Sequence, residues 1–108
     1  MTVKKMVYAR VVDVRFNPGK REEGLDIIAN VSREVRDGFE GMLVLLSTDD
    51  EDKATYVTLW DSEDAMTGSW MKINPKATQA LEGLLAEPVS MRSNEVQKIQ
   101  RISIPVGR

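Results

Sequence analysis

From Tyr8 to Phe16 the chain places Tyr8, Arg10, Val12, Val14 and Phe16 on one side and Val7, Ala9, Val11, Asp13 and Arg15 on the other. That two-residue period predicts a β-strand with apolar residues on both faces. Asn17-Pro18-Gly19 marks a turn, and the period then lengthens. From about Lys20 to Asp37, Leu25, Ile28, Ala29, Ser32 and Val35 recur at helical spacing, with Ile27 and Val31 widening the stripe. Gly38 stands where a C-cap glycine would end that helix. Gly41 to Thr48 is apolar and branched, Ala54 to Trp60 alternates, and the polar stretch Thr48 to Lys53 joins them, so the pair predicts a hairpin.

After Trp60 the period returns to about 3.6, with Ala65, Met66, Ser69, Trp70 and Ile73 on one face. Ser62 is placed to cap this helix, and Glu63 and Asp64 put negative charge at its positive end. Asn74-Pro75 predicts an interruption, followed by a second helical piece from about Pro75 to Ala86 with Ala77, Ala80, Leu81, Leu84 and Leu85 on one side. Val89 to about Ile99 supplies the last main strand. Ile102, Ile104 and Val106 alternate beyond it, as a short edge strand or as an arm on a partner.

The order β-α-β-β-α-β predicts a single α+β domain over residues 1–108. It is the ferredoxin-like arrangement, with a four-stranded antiparallel sheet and both helices on one face. Because the first strand is apolar on both faces, the uncovered face is expected to meet a second subunit. A standard interface of this kind buries on the order of 1,600 Å².

Composition narrows the chemistry. The 108 residues contain no cysteine and no histidine, and the net charge is -2 with Lys and Arg scattered along the chain. Nucleic-acid binding is not suggested. Disulfides, thiolate nucleophiles and thiolate metal sites are excluded, as are Ser-His arrangements and the commonest ligand of zinc, copper and haem iron. The longest apolar run, Met42 to Leu46, is too short to span a bilayer, and no hydrophobic signal core follows Met1. A soluble cytoplasmic protein with no bound metal is the expectation.

A two-part motif carries a family resemblance. Gly38-Phe39-Glu40-Gly41-Met42, a hydrophobic strand, an acidic loop, then Thr58-Leu59-Trp60-x-Ser62-x-x-Ala65-Met66, resembles the antibiotic biosynthesis monooxygenase type of dimeric α+β barrel, from about Tyr8 to about Ile99. The resemblance implies a homodimer and a pocket between sheet and helices. Haem-degrading relatives use a helix histidine and a first-strand asparagine. This chain has no histidine and, with the turn glycine aligned at Gly19, an apolar residue near Val12, so that chemistry is not implied. The cofactor-independent branch is implied instead, acting on a small aromatic, quinol-like compound whose own anion reduces dioxygen.

The candidate catalytic residues are Trp60, Tyr56 and Arg10. Tyr56, Thr58 and Trp60 share one strand face; Arg10 would hold an anion, and the Trp60 indole N–H would offer a hydrogen bond. Val12, Val14, Phe16, Thr58, Met66 and Trp70 are candidate pocket residues. Each has a plainer reading. Trp60, Met66 and Trp70 also suit an ordinary core, and Arg10 suits a cross-strand ion pair or the dimer seam. The acidic run Asp49 to Asp52 lacks the spaced ligands of an EF-hand and reads as a solvated hairpin tip. The alternative to an enzyme is a non-catalytic dimeric barrel that binds a small hydrophobic ligand or is purely structural.

Overall fold

The computed structural model describes residues 7–34 and 37–97, without the side chains of residues 70 and 72–74. The elements run β1 (Val7–Arg15), α1 (Arg21–Ser32), β2 (Phe39–Leu46), β3 (Lys53–Trp60), α2 (Glu63–Ala80) and β4 (Ser90–Val96). The strands form one sheet in the order β2-β3-β1-β4, and every neighbouring pair is antiparallel. This is the ferredoxin-like α+β fold.

The alternation read along β1 sorts its faces. Val12, Val14 and Phe16 are buried with Ile28 of α1, Ala54 of β3 and Leu81 beyond α2, and this cluster forms the core. Phe16 extends β1 by a single bridge to Leu85. Gly24 lets α1 lie directly on the Phe16 ring, where a Cβ would fall 2.1 Å from a ring carbon. Asp13 on the opposite face accepts hydrogen bonds from the Thr55 hydroxyl at 2.6 Å and from Arg92 at 2.8 Å.

Three boundaries differ from those expected of the sequence. Helix α1 ends at Ser32 and not near Asp37, with the Arg33 N–H bonding back to the Ala29 carbonyl. Gly38 therefore is not its C-cap; with φ +77° it turns the chain into β2. Asn74-Pro75 does not divide the second helix, because α2 runs unbroken from Glu63 to Ala80 with Pro75 inside it. Proline removes one backbone donor and disfavours its preceding residue in a helix, but a long helix packed on a sheet tolerates that loss. Strand β4 begins at Ser90, and six of its seven residues are exposed, which accounts for its polar composition. The alternating segment Ile102 to Val106 lies outside the described residues.

The hairpin loop is held by its own side chains. The Ser47 hydroxyl accepts from the N–H groups of Asp49 and Asp50, Asp50 Oδ1 accepts from the Asp52 N–H, and the Arg15 guanidinium pairs with Asp50. Arg21 of α1 donates to the carbonyls of Ser47, Asp50 and Lys53. The acidic run thus builds a turn.

The family motif is a structural unit. Gly38 accepts the Asp61 N–H through its carbonyl at 2.8 Å, and a Cβ on it would fall 2.5 Å from the Ala65 Cβ. Ser62 caps α2 by accepting the Ala65 N–H at 3.0 Å. Gly38→Ala is therefore expected to cost roughly 2–4 kcal/mol, the sum of a left-handed backbone and a steric clash. Gly19 has the same φ, +77°, but a Cβ there would meet nothing within 4 Å, so Gly19→Ala should cost only about 1–2 kcal/mol. Urea denaturation of the two variants would check this, and equal costs would refute the packing argument.

Candidate functional site

Strands β1 and β3 set the site by register. Tyr8 lies opposite Trp60, Arg10 opposite Thr58 and Val12 opposite Tyr56, and directly opposed residues point to the same face. The helices cover this face, so Arg10, Thr58 and Trp60 are buried.

Trp60 meets the Phe39 ring edge-on, with centroids 5.2 Å apart, and packs on Met66. Its indole N–H donates to the Thr58 hydroxyl oxygen at 2.9 Å. The Arg10 guanidinium reaches under α2 and donates to the Met66 carbonyl at 3.3 Å.

Between the sheet and the two helices is a cavity of about 60 Å³. Arg10, Val12, Tyr56, Thr58 and Trp60 form its sheet side; Ile28, Val31 and Ser32 of α1, Phe39 of β2, and Ser69 and Ala77 of α2 complete it. It is only partly enclosed, and counted out to solvent the recess holds about 540 Å³ of space free of protein atoms. A dry cavity near 150 Å³ accepts benzene. The enclosed part is therefore too small for a ring and has room for an oxygen substituent or about two waters.

Burial lowers the Arg10 pKa from the ordinary guanidinium value, an effect opposed by the neighbouring Tyr56. Burial raises the Tyr56 phenol, opposed by the Arg10 charge. At neutral pH the cavity thus holds a guanidinium cation and a neutral phenol. Among the described residues no three His, Cys, Asp or Glu side chains cluster closely enough to hold a metal ion, and no helix is long and apolar enough to cross a membrane.

Because the folded Tyr56 pKa lies above the unfolded value of about 10, its contribution to stability is complete below pH ~10. It is lost as pH rises through the folded value. Tyr56→Phe should abolish this alkaline loss. Denaturant midpoints measured from pH 8 to pH 11 would detect it, and an unchanged alkaline profile in Tyr56→Phe would refute it.

Of the residues singled out from sequence, Arg10, Val12, Tyr56, Thr58 and Trp60 come together at the cavity. Val14 and Phe16 share the same sheet face but lie in the adjoining core, and Met66 supports Trp60 from behind. Trp70 belongs to α2, and its side chain is outside the described set. The indole N–H assigned to a ligand is taken by Thr58. Phe39, Ile28, Val31, Ser32, Ser69 and Ala77 were legible only as motif or helix-stripe residues.

The sequence profile described as antibiotic biosynthesis monooxygenase matches residues 7–72. The fold is similar to that of a candidate antibiotic biosynthesis monooxygenase from Nitrosomonas europaea, with TM-score 0.76 and 12% identity over 90% of this chain and 96% of that one. It is also similar to a variant of SnoaB, a cofactor-independent oxygenase from Streptomyces nogalater, with TM-score 0.73 and 16% identity over 89% of this chain and 97% of that one. A protein of unknown function from N. europaea, NE2512, matches with TM-score 0.72 and 16% identity over 95% and 98% of the two chains. No curated protein is significantly similar to the chain in sequence. A profile match over more than half of the chain, on a fold shared across nearly all of it, makes this protein a member of the antibiotic biosynthesis monooxygenase family.

Proposed function

We propose that the protein is a cofactor-independent monooxygenase acting on a small aromatic, quinol-like compound bound between sheet and helices. The observation that carries this reading is the cavity itself, where a buried guanidinium, a neutral phenol and a hydroxyl meet within mostly apolar walls. Such a site offers what an oxygen-sensitive phenol needs, namely a cation for its anion and mostly apolar walls around its ring. The description of SnoaB as a cofactor-independent oxygenase supports the same class.

In the reaction we envisage, the bound phenol loses its proton and the anion passes electrons to dioxygen. A carbon–oxygen bond forms at an activated ring C–H position and gives a peroxide. Loss of that carbon's proton and cleavage of the O–O bond leave a carbonyl and release the second oxygen as water. Overall, phenol plus O₂ becomes quinone plus water. Arg10 holds the anion and Tyr56 hydrogen-bonds beside it.

We further propose that the active form is a homodimer joined through the uncovered sheet face, where Leu43 and Leu45 are about half exposed at 56% and 51%. Clustered apolar exposure of this kind marks interaction surfaces. Leu43→Glu combined with Leu45→Glu should shift the sedimentation coefficient from dimer to monomer. A wild type that is monomeric at micromolar concentration would refute the assembly.

The functional test is oxygen uptake by the purified protein with a panel of hydroquinones and anthrone-like phenols, each beside its spontaneous rate. Saturable uptake with one O₂ per product molecule is expected. Uptake at the spontaneous rate across the panel would overturn the oxygenase reading. Thermal stabilisation by the same compounds would then favour a non-catalytic ligand-binding barrel.

A further inference from the structure

Strand β2 changes face at its first residues. Side chains alternate along a regular strand, so Phe39, Gly41, Leu43 and Leu45 would share one side of the sheet. Leu43 lies opposite Val57 and Gly41 opposite Leu59, which puts both on the uncovered face. Phe39 lies opposite Trp60 instead, on the face that the helices cover. The pairing is irregular between Phe39 and Gly41, with Glu40 as the extra residue. A bulge re-aims the side chain beside it, and here it carries Phe39 away from Leu43 and Leu45 and into the cavity wall.

The other residues on that wall are small. Arg10, Val12, Ile28, Thr58 and Trp60 line the cavity as buried side chains. The helices add Val31, Ser32, Ser69 and Ala77, all half-buried and none large enough to occupy a ring-sized space. Among the described half-buried lining residues only Tyr56 and Phe39 carry rings, and Tyr56 belongs to the centre of the sheet, opposite Val12. Phe39 is fixed by its edge-on contact with Trp60, at 5.2 Å between centroids. The enclosed space of about 60 Å³ is what remains once the Phe39 ring has taken its share.

We propose that Phe39 is the specificity-determining residue of this site: its ring confines the enclosed space to a ligand's leading oxygen and excludes aromatic ligands substituted on both sides of that oxygen. This role presupposes that the cavity is the ligand site of the proposed oxygenase, and it narrows the substrate class to phenols and quinols with at least one unsubstituted neighbouring position. An oxygen flanked by two methyl groups brings three groups of about a water's size to a space that holds about two. The ligand's own ring stays outside the enclosed part. Removing the Phe39 ring enlarges that part by about the volume of benzene, toward the size of about 150 Å³ at which a dry cavity admits a ring.

The probes are two isomers of equal composition, 3,5-dimethylphenol and 2,6-dimethylphenol, titrated into the purified protein at neutral pH and followed by ligand-observed NMR. The wild type is expected to bind the 3,5-isomer at least roughly tenfold more tightly, the discrimination that one or two misplaced methyl groups produce in a close-fitting pocket. Phe39→Ala should bind the two alike, and Phe39→Leu should lose part of the preference. A loss of folded protein weakens both isomers equally, so their ratio reports on the wall and not on stability. Phe39→Leu keeps an apolar side chain in place and carries the test if Phe39→Ala does not fold.

A preference unchanged in Phe39→Ala, or in Phe39→Leu where the alanine variant is unfolded, would overturn the proposal. A wild type that does not distinguish the isomers, or binds neither, would do the same. Oxygen uptake with the hydroquinone and anthrone panel, measured on the same preparations, separates this role from the reaction. A Phe39-dependent preference without uptake leaves the role standing and removes the oxygenase. Saturable uptake with a Phe39-independent preference does the reverse.

Discussion

Trp60→Ala is expected to lower stability by about 3–5 kcal/mol. The side chain is 4% exposed and packs against Met66, Tyr8, Phe39 and Ala65. Its removal deletes that apolar contact, leaves a void beneath the start of α2, and deprives Phe39 of its edge-on partner. The Thr58 oxygen loses its donor as well. Against a total stability of roughly 5–15 kcal/mol for a domain of this size, the loss is a large fraction of the whole. Trp60→Phe keeps a ring in place and gives up only part of the volume and one hydrogen bond, so about 1–2 kcal/mol is expected. Urea denaturation followed by circular dichroism would measure both. A cost below about 1 kcal/mol for the alanine variant would show that the indole contributes to a pocket wall and not to the core.

The sequence leaves open whether Trp60 is core or pocket, and the fold shows why one tryptophan can be both. It closes β3 where α2 begins, so one edge of the ring packs under the helix while its N–H end turns along the strand toward Thr58. Alternation along β1 and β3 was enough to place Arg10, Tyr56, Thr58 and Trp60 on one face, because strand geometry fixes which side each residue takes. It could not tell which of them meet a void. Phe16 and Val14 share that face with Arg10 and are filled around by Ile28 and Leu81. Which positions along that face the helix residues fill is not encoded in periodicity.

The element order was legible for the same reason, whereas the ends were not. Helix α1 carries apolar spacing through Val35 yet stops at Ser32, because the chain must turn at Gly38 to enter β2. Asn74-Pro75 has the local chemistry of a break, but the surrounding residues of α2 continue the helix through it. In both cases tertiary geometry overrides a local preference worth only a few kcal/mol. Gly38 was visible as a member of the two-part motif; the structure adds that Ala65 sits where its Cβ would be.

Arg10→Met should separate binding from folding in the opposite direction to Trp60→Ala. The guanidinium is 7% exposed in a mostly apolar cavity, and burial already lowers its pKa despite the opposing effect of Tyr56. A buried charge has lost hydration that its surroundings only partly restore, so an apolar residue of similar volume is often neutral or stabilising. Methionine gives up the bond to the Met66 carbonyl, worth about 1–2 kcal/mol, and recovers the desolvation cost. The net expectation is a stability unchanged to within about 1 kcal/mol, or higher. If the cation stabilises a substrate anion, oxygen uptake should nevertheless fall roughly 10²- to 10³-fold in kcat/KM, the effect of removing one preorganised donor from a charge-stabilising site. Arg10→Lys keeps the charge but not the planar donor fork, and should recover only part of the rate. A folded Arg10→Met variant with undiminished uptake would remove Arg10 from the reaction, and an unfolded one would make it a structural residue whose burial the fold requires.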